Sequence, residues 1–243
     1  MAYLNSEIKT ELIKAGACLV GFADVSDLPA NVTNLMKYAI SIAAALDASI
    51  ISEIADGPTE RYYQEYNRAN EFLADLCRST VSDLKSRGNE AAAIKPTIEK
   101  IDYQTLRAEL SHKMIATLAG LGWIGKSALL ITEKYGAAVR LATVLTDAEF
   151  EAAKPLNASS CGQCIKCVKN CPAKAISGRN WELGLEREMM YDAFACCDMT
   201  RRLSNKIGLN AHICGICINV CPWTQKYISR ELNNDEIKKK GLC

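Results

Sequence analysis

A run of four cysteines constrains this chain more than any other feature of its sequence. Cys161, Cys164, Cys167 and Cys171 are spaced as C-x2-C-x2-C-x3-C, and Pro172 follows directly. Thiolates two residues apart on a tight turn can converge on one iron–sulfur cubane, whereas a fourth thiolate, one helical turn further on, reaches a different iron. The run therefore predicts iron–sulfur chemistry.

A second, shorter run has the spacing C-x2-C-x3-C and consists of Cys214, Cys217 and Cys221, again followed by a proline, Pro222. In bacterial ferredoxins the last cysteine of such a run ligates the other cluster, so that two runs exchange ligands. We therefore predict two [4Fe-4S] clusters. Zinc is the alternative, because CxxC pairs also form zinc sites, but zinc sites rarely need the longer run with its proline.

The same logic assigns ligands. The first cluster takes three cysteines of the first run and the last cysteine of the second: Cys161, Cys164, Cys167 and Cys221. The second cluster takes the remaining three: Cys171, Cys214 and Cys217. Its fourth thiolate must come from the intervening segment, where Cys196 and Cys197 are adjacent. Two neighbouring residues cannot easily both face one cluster, and spacing alone leaves the choice between them open.

Composition places the chain among ordinary globular proteins. Its 243 residues can form one large domain or two small ones. A net charge of +1 predicts no overall field that would attract nucleic acid or anionic lipid. The two histidines leave little room for histidine-based metal sites.

Cysteine usage indicates the compartment. Seven of the twelve cysteines lie in the two runs, and the first residues are polar, unlike a signal peptide. We therefore expect a reducing, cytoplasmic environment. The longest apolar stretch, residues 38–46, is too short to span a bilayer, so no membrane association is expected.

Hydrophobic periodicity predicts a layer of helices and strands in the first part of the chain. The predicted helices cover residues 3–16, 60–87 (one helix or a broken pair) and 106–118. The predicted strands cover residues 18–23, 38–46, 91–94, 128–131 and 138–145. The last two strands are expected to form a hairpin around residues 133–136. A helical tail is expected over residues 224–240.

A glycine-rich turn, residues 119–127, follows the third predicted helix. Gly120, Gly125, Lys126 and Ser127 match the spacing of a phosphate-binding Walker loop. Such a loop follows a hydrophobic strand, however, and here a helix is predicted before it. Nucleotide binding is therefore disfavoured. The fold class predicted from all elements is α+β, with an N-terminal α/β domain (1–150), a C-terminal ferredoxin-type double-cluster module (151–225) and a helical tail (226–243).

In its order of motifs the chain resembles the epoxyqueuosine reductases and, more distantly, the reductive dehalogenases. The resemblance is carried by Ala119-Gly-Leu-Gly-Trp-Ile-Gly-Lys126, by Thr146-Asp147 and by the two cysteine runs, the second ending in Cys-Pro-Trp223. It extends from the first helix to Trp223. In that family a lone cysteine between the runs follows an aspartate by four residues. Asp192 and Cys196 match this spacing, so the resemblance favours Cys196 over Cys197 as the ligand.

The resemblance implies a cobalamin-binding α/β domain, like that of cobalamin-dependent reductases, fused to the cluster module. Single electrons would pass through the clusters to a base-off cobalamin that reduces the substrate. The residues implied as cobalamin contacts are Gly120, Gly122, Trp123, Gly125 and Cys197. Reduced ferredoxin or flavodoxin would supply the electrons, and Lys166, Lys169 and Lys174 either guide such an acidic donor or form a solvated basic face.

This sequence departs from the pattern of the family at two points that bear on the reaction. The family's acidic proton donor, fourteen residues before the first glycine of the turn, corresponds to Leu106 here, which leaves Asp102, Tyr103 and Lys126 as candidate acids. The helical repeats that help the family hold tRNA are missing from this sequence, so a nucleic-acid substrate is not expected. The leading hypothesis is an oxidoreductase acting on an unknown small substrate. The alternatives are an electron carrier or reductase subunit for a partner, such as a corrinoid protein, and a maturation protein.

Overall fold

The computed structural model describes residues 2–96, 102 and 104–239. The helices among them are α1 (Ala2–Lys14), α2 (Ala30–Thr33), α3 (Ala48–Ser52), α4 (Glu60–Ser86), α5 (His112–Leu118), α6 (Lys166–Asn170), α7 (Arg187–Met190), α8 (Ala193–Lys206), α9 (Ile216–Asn219) and α10 (Pro222–Lys239). The strands are β1 (Leu19–Asp24), β2 (Tyr38–Ala45), β3 (Ala91–Ile94), β4 (Trp123–Ile124), β5 (Leu130–Ile131) and β6 (Val139–Thr146).

The chain divides into two compact units built from interleaved segments. The first, here called the sheet unit, consists of Met1–Ala45, Arg68–Trp123 and Arg140–Asn157. The second, the cysteine unit, consists of Leu46–Asn67, Ile124–Val139 and Ala158–Cys243. The functional domain limits expected at residues 150 and 225 stay a prediction.

The sheet unit is organised by a four-stranded sheet in the order β1-β2-β6-β3. Strands β1 and β2 are antiparallel, with Leu19 opposite Ala43, and β3 and β6 are antiparallel, with Ala91 opposite Thr146. Helix α5 packs against β1 and β2. Its Ile115 joins Leu145 of β6 in a core from which both side chains are fully excluded from solvent. The combination of helices with antiparallel strand pairs confirms the α+β class.

The helices predicted from periodicity are largely confirmed. Helix α1 ends where glycine was expected to stop it: Gly16 has φ +106°, and the N–H of Ala17 donates to the carbonyl oxygen of Leu12 at 2.9 Å. This pattern closes the orphan carbonyls of a helix end, and glycine adopts the required backbone angle without a Cβ clash. Helix α4 is one continuous helix of 27 residues and not a broken pair.

Two predicted elements are wrong. The hairpin does not form, because β5 pairs with β4 whereas β6 lies between β2 and β3. The turn itself exists, with reciprocal hydrogen bonds between Thr132 and Gly136 of 2.9 and 3.0 Å. The helix predicted from residue 106 begins only at His112, because Leu106 has φ +52°, a left-handed conformation that no helix continues through.

Candidate iron–sulfur centre

The first cysteine run forms a tight loop that leads into helix α6. Gly162 has φ +55°, and the N–H of Cys164 donates to the carbonyl oxygen of Cys161 at 3.1 Å. Cys167 lies in α6, and Cys171 caps the end of that helix in an extended conformation. The first two cysteines of the run thus belong to the loop, and the last one stands at the far end of the helix, as expected for ligands of two different clusters.

One group of thiols surrounds Cys167. The pKa of the Cys167 thiol is raised to about 11, mainly by burial and then by the charges of Cys161, Cys221 and Cys164. Cys221 belongs to the second run, and its own pKa is raised by burial and by Cys161. The structure thus brings together three cysteines of the first run and the last cysteine of the second.

A second group surrounds Cys217. Burial raises the pKa of this thiol, and the charges of Cys214, Cys196, Cys167 and Cys171 act in the same direction. The pKa of Cys214 is also raised, by burial and by Cys171. The last cysteine of the first run therefore lies with the second run, together with one cysteine from the intervening segment. Cys167 is a neighbour of both groups.

The adjacent cysteines of α8 face different partners. The Asp192 carboxylate caps the helix by accepting from the N–H groups of Phe194 and Ala195. Cys196 is one of the thiols that act on Cys217. The Sγ of Cys197 instead lies 3.4 Å from the Nδ1 of His212. Successive residues on a helix point about 100° apart, and this difference separates the two thiols.

Two glycines allow protein to pack closely against the cysteine runs. A Cβ on Gly215, which has φ +88° and follows Cys214, would lie 2.4 Å from the Cδ1 of Ile54. A Cβ on Gly125 would lie 2.6 Å from the Cγ1 of Ile131 and 3.5 Å from the Sγ of Cys161. The glycine-rich turn thus ends directly beside the first thiol group.

Asn219, for which no role was predicted from the sequence, anchors the second run. Its buried side chain donates from Nδ2 to the carbonyl oxygens of Ile51, at 2.7 Å, and Ser52, at 3.3 Å. These carbonyls lie at the end of α3, where helix carbonyls lack intrahelical partners. A polar residue inside the otherwise apolar stretch between Cys217 and Cys221 was the available signal.

Backbone amides point at several of the sulfurs. The N–H of Ala175 lies 3.4 Å from the Sγ of Cys171. The N–H groups of Trp223 and Thr224 bond to Cys221 and partly offset the burial that raises its pKa. Such donors stabilise negative charge on sulfur, and hydrogen bonds of this kind set the reduction potential of a cluster.

The candidate acids differ in their surroundings. Asp102 is exposed, and its pKa is lowered by a hydrogen bond from the Thr105 hydroxyl and by the N–H of Gln104, so its carboxylate is ionised at neutral pH. Tyr103 lies outside the described residues. Lys126 is buried, with 5% of its surface exposed, and forms no hydrogen bond or ion pair with any described residue.

The residues expected to contact cobalamin are mostly enclosed. Gly122 and Trp123 are buried, and the space beside Gly125 is filled by Ile131. Gly120 is exposed, has φ +68° and approaches the carbonyl oxygen of Lys154, to which a Cβ would lie 3.2 Å away. Cys197 contacts His212.

Within the described ranges, no group of three or more His, Cys, Asp or Glu side chains is arranged to hold a metal ion. A [4Fe-4S] cluster needs a different arrangement of ligands, because each of its four thiolates binds a different iron. Among the helices that the structure describes, none has the length and apolar character needed to cross a membrane.

Comparison with known proteins defines the class of the cysteine-rich segment. Residues 160–224 match the model of the 4Fe-4S double cluster binding domain. The two predicted [4Fe-4S] clusters are thereby confirmed, and the chain is an iron–sulfur protein.

Two curated relatives are epoxyqueuosine reductases. The protein of Prochlorococcus marinus (strain NATL2A) is 33% identical over 126 residues, which cover 48% of this chain and 37% of the relative. That of Lactococcus garvieae (strain Lg2) is 33% identical over 111 residues, covering 46% of this chain and 31% of the relative. The matched part of the chain thus spans about a third of the length of these curated relatives.

Solved structures extend the likeness to both units. An epoxyqueuosine reductase with an epoxyqueuosine-modified tRNA-Tyr stem loop aligns at a TM-score of 0.63 and 21% identity, over 92% of this chain and 66% of that one. The catabolic reductive dehalogenase NpRdhA, in complex with 3-bromo-4-hydroxybenzoic acid, aligns at 0.66 and 19% identity, over 89% of this chain and 31% of that one. The predicted resemblance to these two groups of reductases is confirmed.

Proposed function

We propose that this chain is an oxidoreductase that passes single electrons through two [4Fe-4S] clusters to a corrinoid, which reduces the substrate. The observation that carries the proposal is that thiols of both cysteine runs act on one another: Cys221 of the second run acts on Cys167, and Cys171 of the first run acts on Cys217. A cluster bound by each group supplies reversible one-electron chemistry.

The ligand sets proposed for the two clusters follow from these groups. Cys161, Cys164, Cys167 and Cys221 hold the first cluster, and Cys171, Cys196, Cys214 and Cys217 hold the second. Burial and mutual repulsion disfavour the thiolate form of several of these thiols. Iron binding replaces protons with positive charge and relieves both effects, so the surroundings of the thiols suit a cluster.

The corrinoid part of the proposal is supported by the fold. One neighbour is a reductive dehalogenase whose structure suggests a mechanism for B12-dependent dehalogenation. It aligns with this chain at a TM-score of 0.65 and 18% identity. Of the residues expected to contact the cofactor, only Gly120 is exposed, so its backbone is the candidate contact among them. A bound corrinoid would accept electrons from the clusters and supply a reducing centre.

The substrate we propose is a small molecule. The two solved relatives contain a tRNA stem loop in one case and a brominated hydroxybenzoic acid in the other, so the shared fold is compatible with substrates of different classes. The net charge of +1 provides little overall attraction for the phosphates of a nucleic acid.

A cobalamin titration of the anaerobically reconstituted protein, followed by absorption and electron paramagnetic resonance, tests the proposal. Tight binding with a base-off cob(II)alamin signal is the expected result. Absence of binding to a protein whose clusters are intact and reducible would overturn the corrinoid part and leave an electron carrier or reductase subunit. Turnover assays with a halogenated phenol and with a modified tRNA stem loop then distinguish the substrate classes.

A further inference from the structure

The surface around the first cysteine run has an unbalanced charge. Residues 158–180 contain four basic residues and no acidic one, although the whole chain carries a net charge of only +1. The four are exposed, and none of them forms an ion pair with any described residue. They are Lys166, Lys169, Lys174 and Arg179.

These residues belong to one continuous stretch of surface. Lys166 and Lys169 are three residues apart on α6 and therefore share a side of that helix. Lys174 stands in the turn that follows, where its N–H donates to the carbonyl oxygen of Cys171 at 3.0 Å. The segment carrying Arg179 packs beside α6, since a Cβ on Gly178 would lie 3.5 Å from the Cγ2 of Val168.

One exposed apolar residue, Ile165, belongs to this stretch and adjoins the first thiol group. Ile165 is 42% exposed and lies between Cys164 and Cys167, both of which are half-buried. The Asn180 side chain donates to the carbonyl oxygen of Gly162 at 3.3 Å and so holds the Arg179 segment against the loop of the first run. An exposed isoleucine, on the same segment as the four basic residues, therefore lies next to cysteines proposed to bind the first cluster.

We propose that this basic face, formed by Ile165, Lys166, Lys169, Lys174 and Arg179, is the docking site of a small acidic one-electron carrier protein. The proposal rests on the proposed function, because it requires a cluster beneath the face. Complementary charge speeds the encounter of two proteins and orients them, and a small apolar centre with a charged rim suits a transient complex.

Chemistry at the face favours a protein over a nucleic acid. Single-stranded nucleic acids are held by aromatic side chains on which bases stack, together with basic residues. Residues 158–180 contain no aromatic residue, and the adjacent Trp181 is half-buried, so the face offers no fully exposed ring. The nearest acidic residue, Glu182, follows Arg179 closely and faces solvent, so the face is bounded on that side by negative charge.

The test compares two reductants. The second-order rate constant for cluster reduction is measured by stopped flow with reduced flavodoxin, an acidic protein, and with the methyl viologen radical, a small cation. The Lys166→Glu/Lys169→Glu variant should lose about tenfold or more in rate with flavodoxin at low ionic strength, and the loss should shrink as salt is added. Its rate with methyl viologen should be unchanged or slightly higher.

A matched control makes the same change in net charge elsewhere. Lys9 and Lys14 are exposed on α1 in the sheet unit, and Lys9→Glu/Lys14→Glu should leave the flavodoxin rate near that of the unmodified protein. Equal losses in both variants, or no loss in either, would overturn the proposal. So would a variant that keeps its flavodoxin rate but loses affinity for a tRNA stem loop, which would assign the face to nucleic acid.

Iron content separates this proposal from the function on which it rests. If the unmodified protein holds no iron and is not reduced by methyl viologen, the cluster function fails. If the glutamate variant alone loses iron, Lys166→Gln/Lys169→Gln replaces it. The expected result is then a flatter dependence of the flavodoxin rate on ionic strength, and an unchanged dependence would contradict docking at this face.

Discussion

The Sγ of Cys197 lies 3.4 Å from the Nδ1 of His212, whereas the adjacent Cys196 is one of the thiols whose charge raises the pKa of Cys217. Cys196→Ala should therefore lose the second cluster, and the iron content should fall from about eight toward four per chain. Cys197→Ala is the matched control and should keep about eight irons. Iron and acid-labile sulfide analysis after anaerobic reconstitution checks both, and the reverse pattern of losses would contradict the ligand assignment.

Lys126 is a buried lysine next in the chain to Gly125, which packs against the first thiol group. It follows Gly125, where a Cβ would lie 3.5 Å from the Sγ of Cys161, and it has no anionic partner among the described residues. Reduction adds negative charge to a cluster, so a nearby ammonium favours the reduced form. Lys126→Met should lower the potential of the first cluster by on the order of 50 mV.

An anaerobic redox titration followed by electron paramagnetic resonance measures this shift. Lys134→Met, which removes an exposed lysine of the same unit, should leave the potential unchanged. An unchanged or raised potential in Lys126→Met would show that the ammonium does not act on the cluster.

His112 should make the stability of the sheet unit depend on pH. Burial holds its pKa below the usual value, and the charge of Arg140 acts in the same direction. Nε2 lies 2.8 Å from the carbonyl oxygen of Lys95, which can only accept, so Nε2 carries the proton and Nδ1 accepts from the Thr143 hydroxyl at 2.8 Å. The folded state therefore holds a neutral imidazole that uses both nitrogens.

The direction of this pH dependence follows from proton uptake by His112 in the unfolded chain. As the pH falls below about 6.5, the unfolded histidine binds a proton and the folded one does not, so the free energy of unfolding decreases. The slope is at most about 1.4 kcal/mol per pH unit. Urea unfolding under anaerobic conditions between pH 7.5 and 5.5 measures this slope. The His112→Gln variant should show a flatter dependence of the free energy of unfolding on pH. Equal slopes in both proteins would show that His112 is not its source.

The buried side chain of Asn219 should contribute substantially to the free energy of unfolding. Asn219→Leu leaves the carbonyls of Ile51 and Ser52 without their donor in a buried position, which should cost about 1–3 kcal/mol in free energy of unfolding. Asn205→Leu, on the exposed end of α8, should change it by less than about 0.5 kcal/mol. Chemical denaturation measures the free energy of unfolding of both variants. Similar losses in the two would show that Asn219 does not anchor the second run.

Elements defined by their own residues could be predicted from the sequence. Helix α4 follows from apolar residues recurring at the helical period, and the end of α1 follows from Gly16. The presence of two clusters could also be predicted, because the spacing of cluster ligands is a local property of each run. The exchange of ligands between the runs stays a prediction.

Properties that depend on distant partners could not be predicted. Strand β6 has six consecutive buried residues at its end, which suits a strand with neighbours on both sides, but a buried run does not reveal whether its neighbour is adjacent in sequence. Likewise, spacing could not choose between Cys196 and Cys197, because the choice depends on helix α8 and on the position of His212. The burial of Lys126 had no sequence signal at all.

The most direct test of the account is the metal content of the anaerobically reconstituted protein. Two [4Fe-4S] clusters held by eight cysteines predict about eight irons and about eight acid-labile sulfides per chain. Four irons would mean that only one of the two thiol groups binds a cluster. About one zinc with no iron would contradict the iron–sulfur assignment altogether.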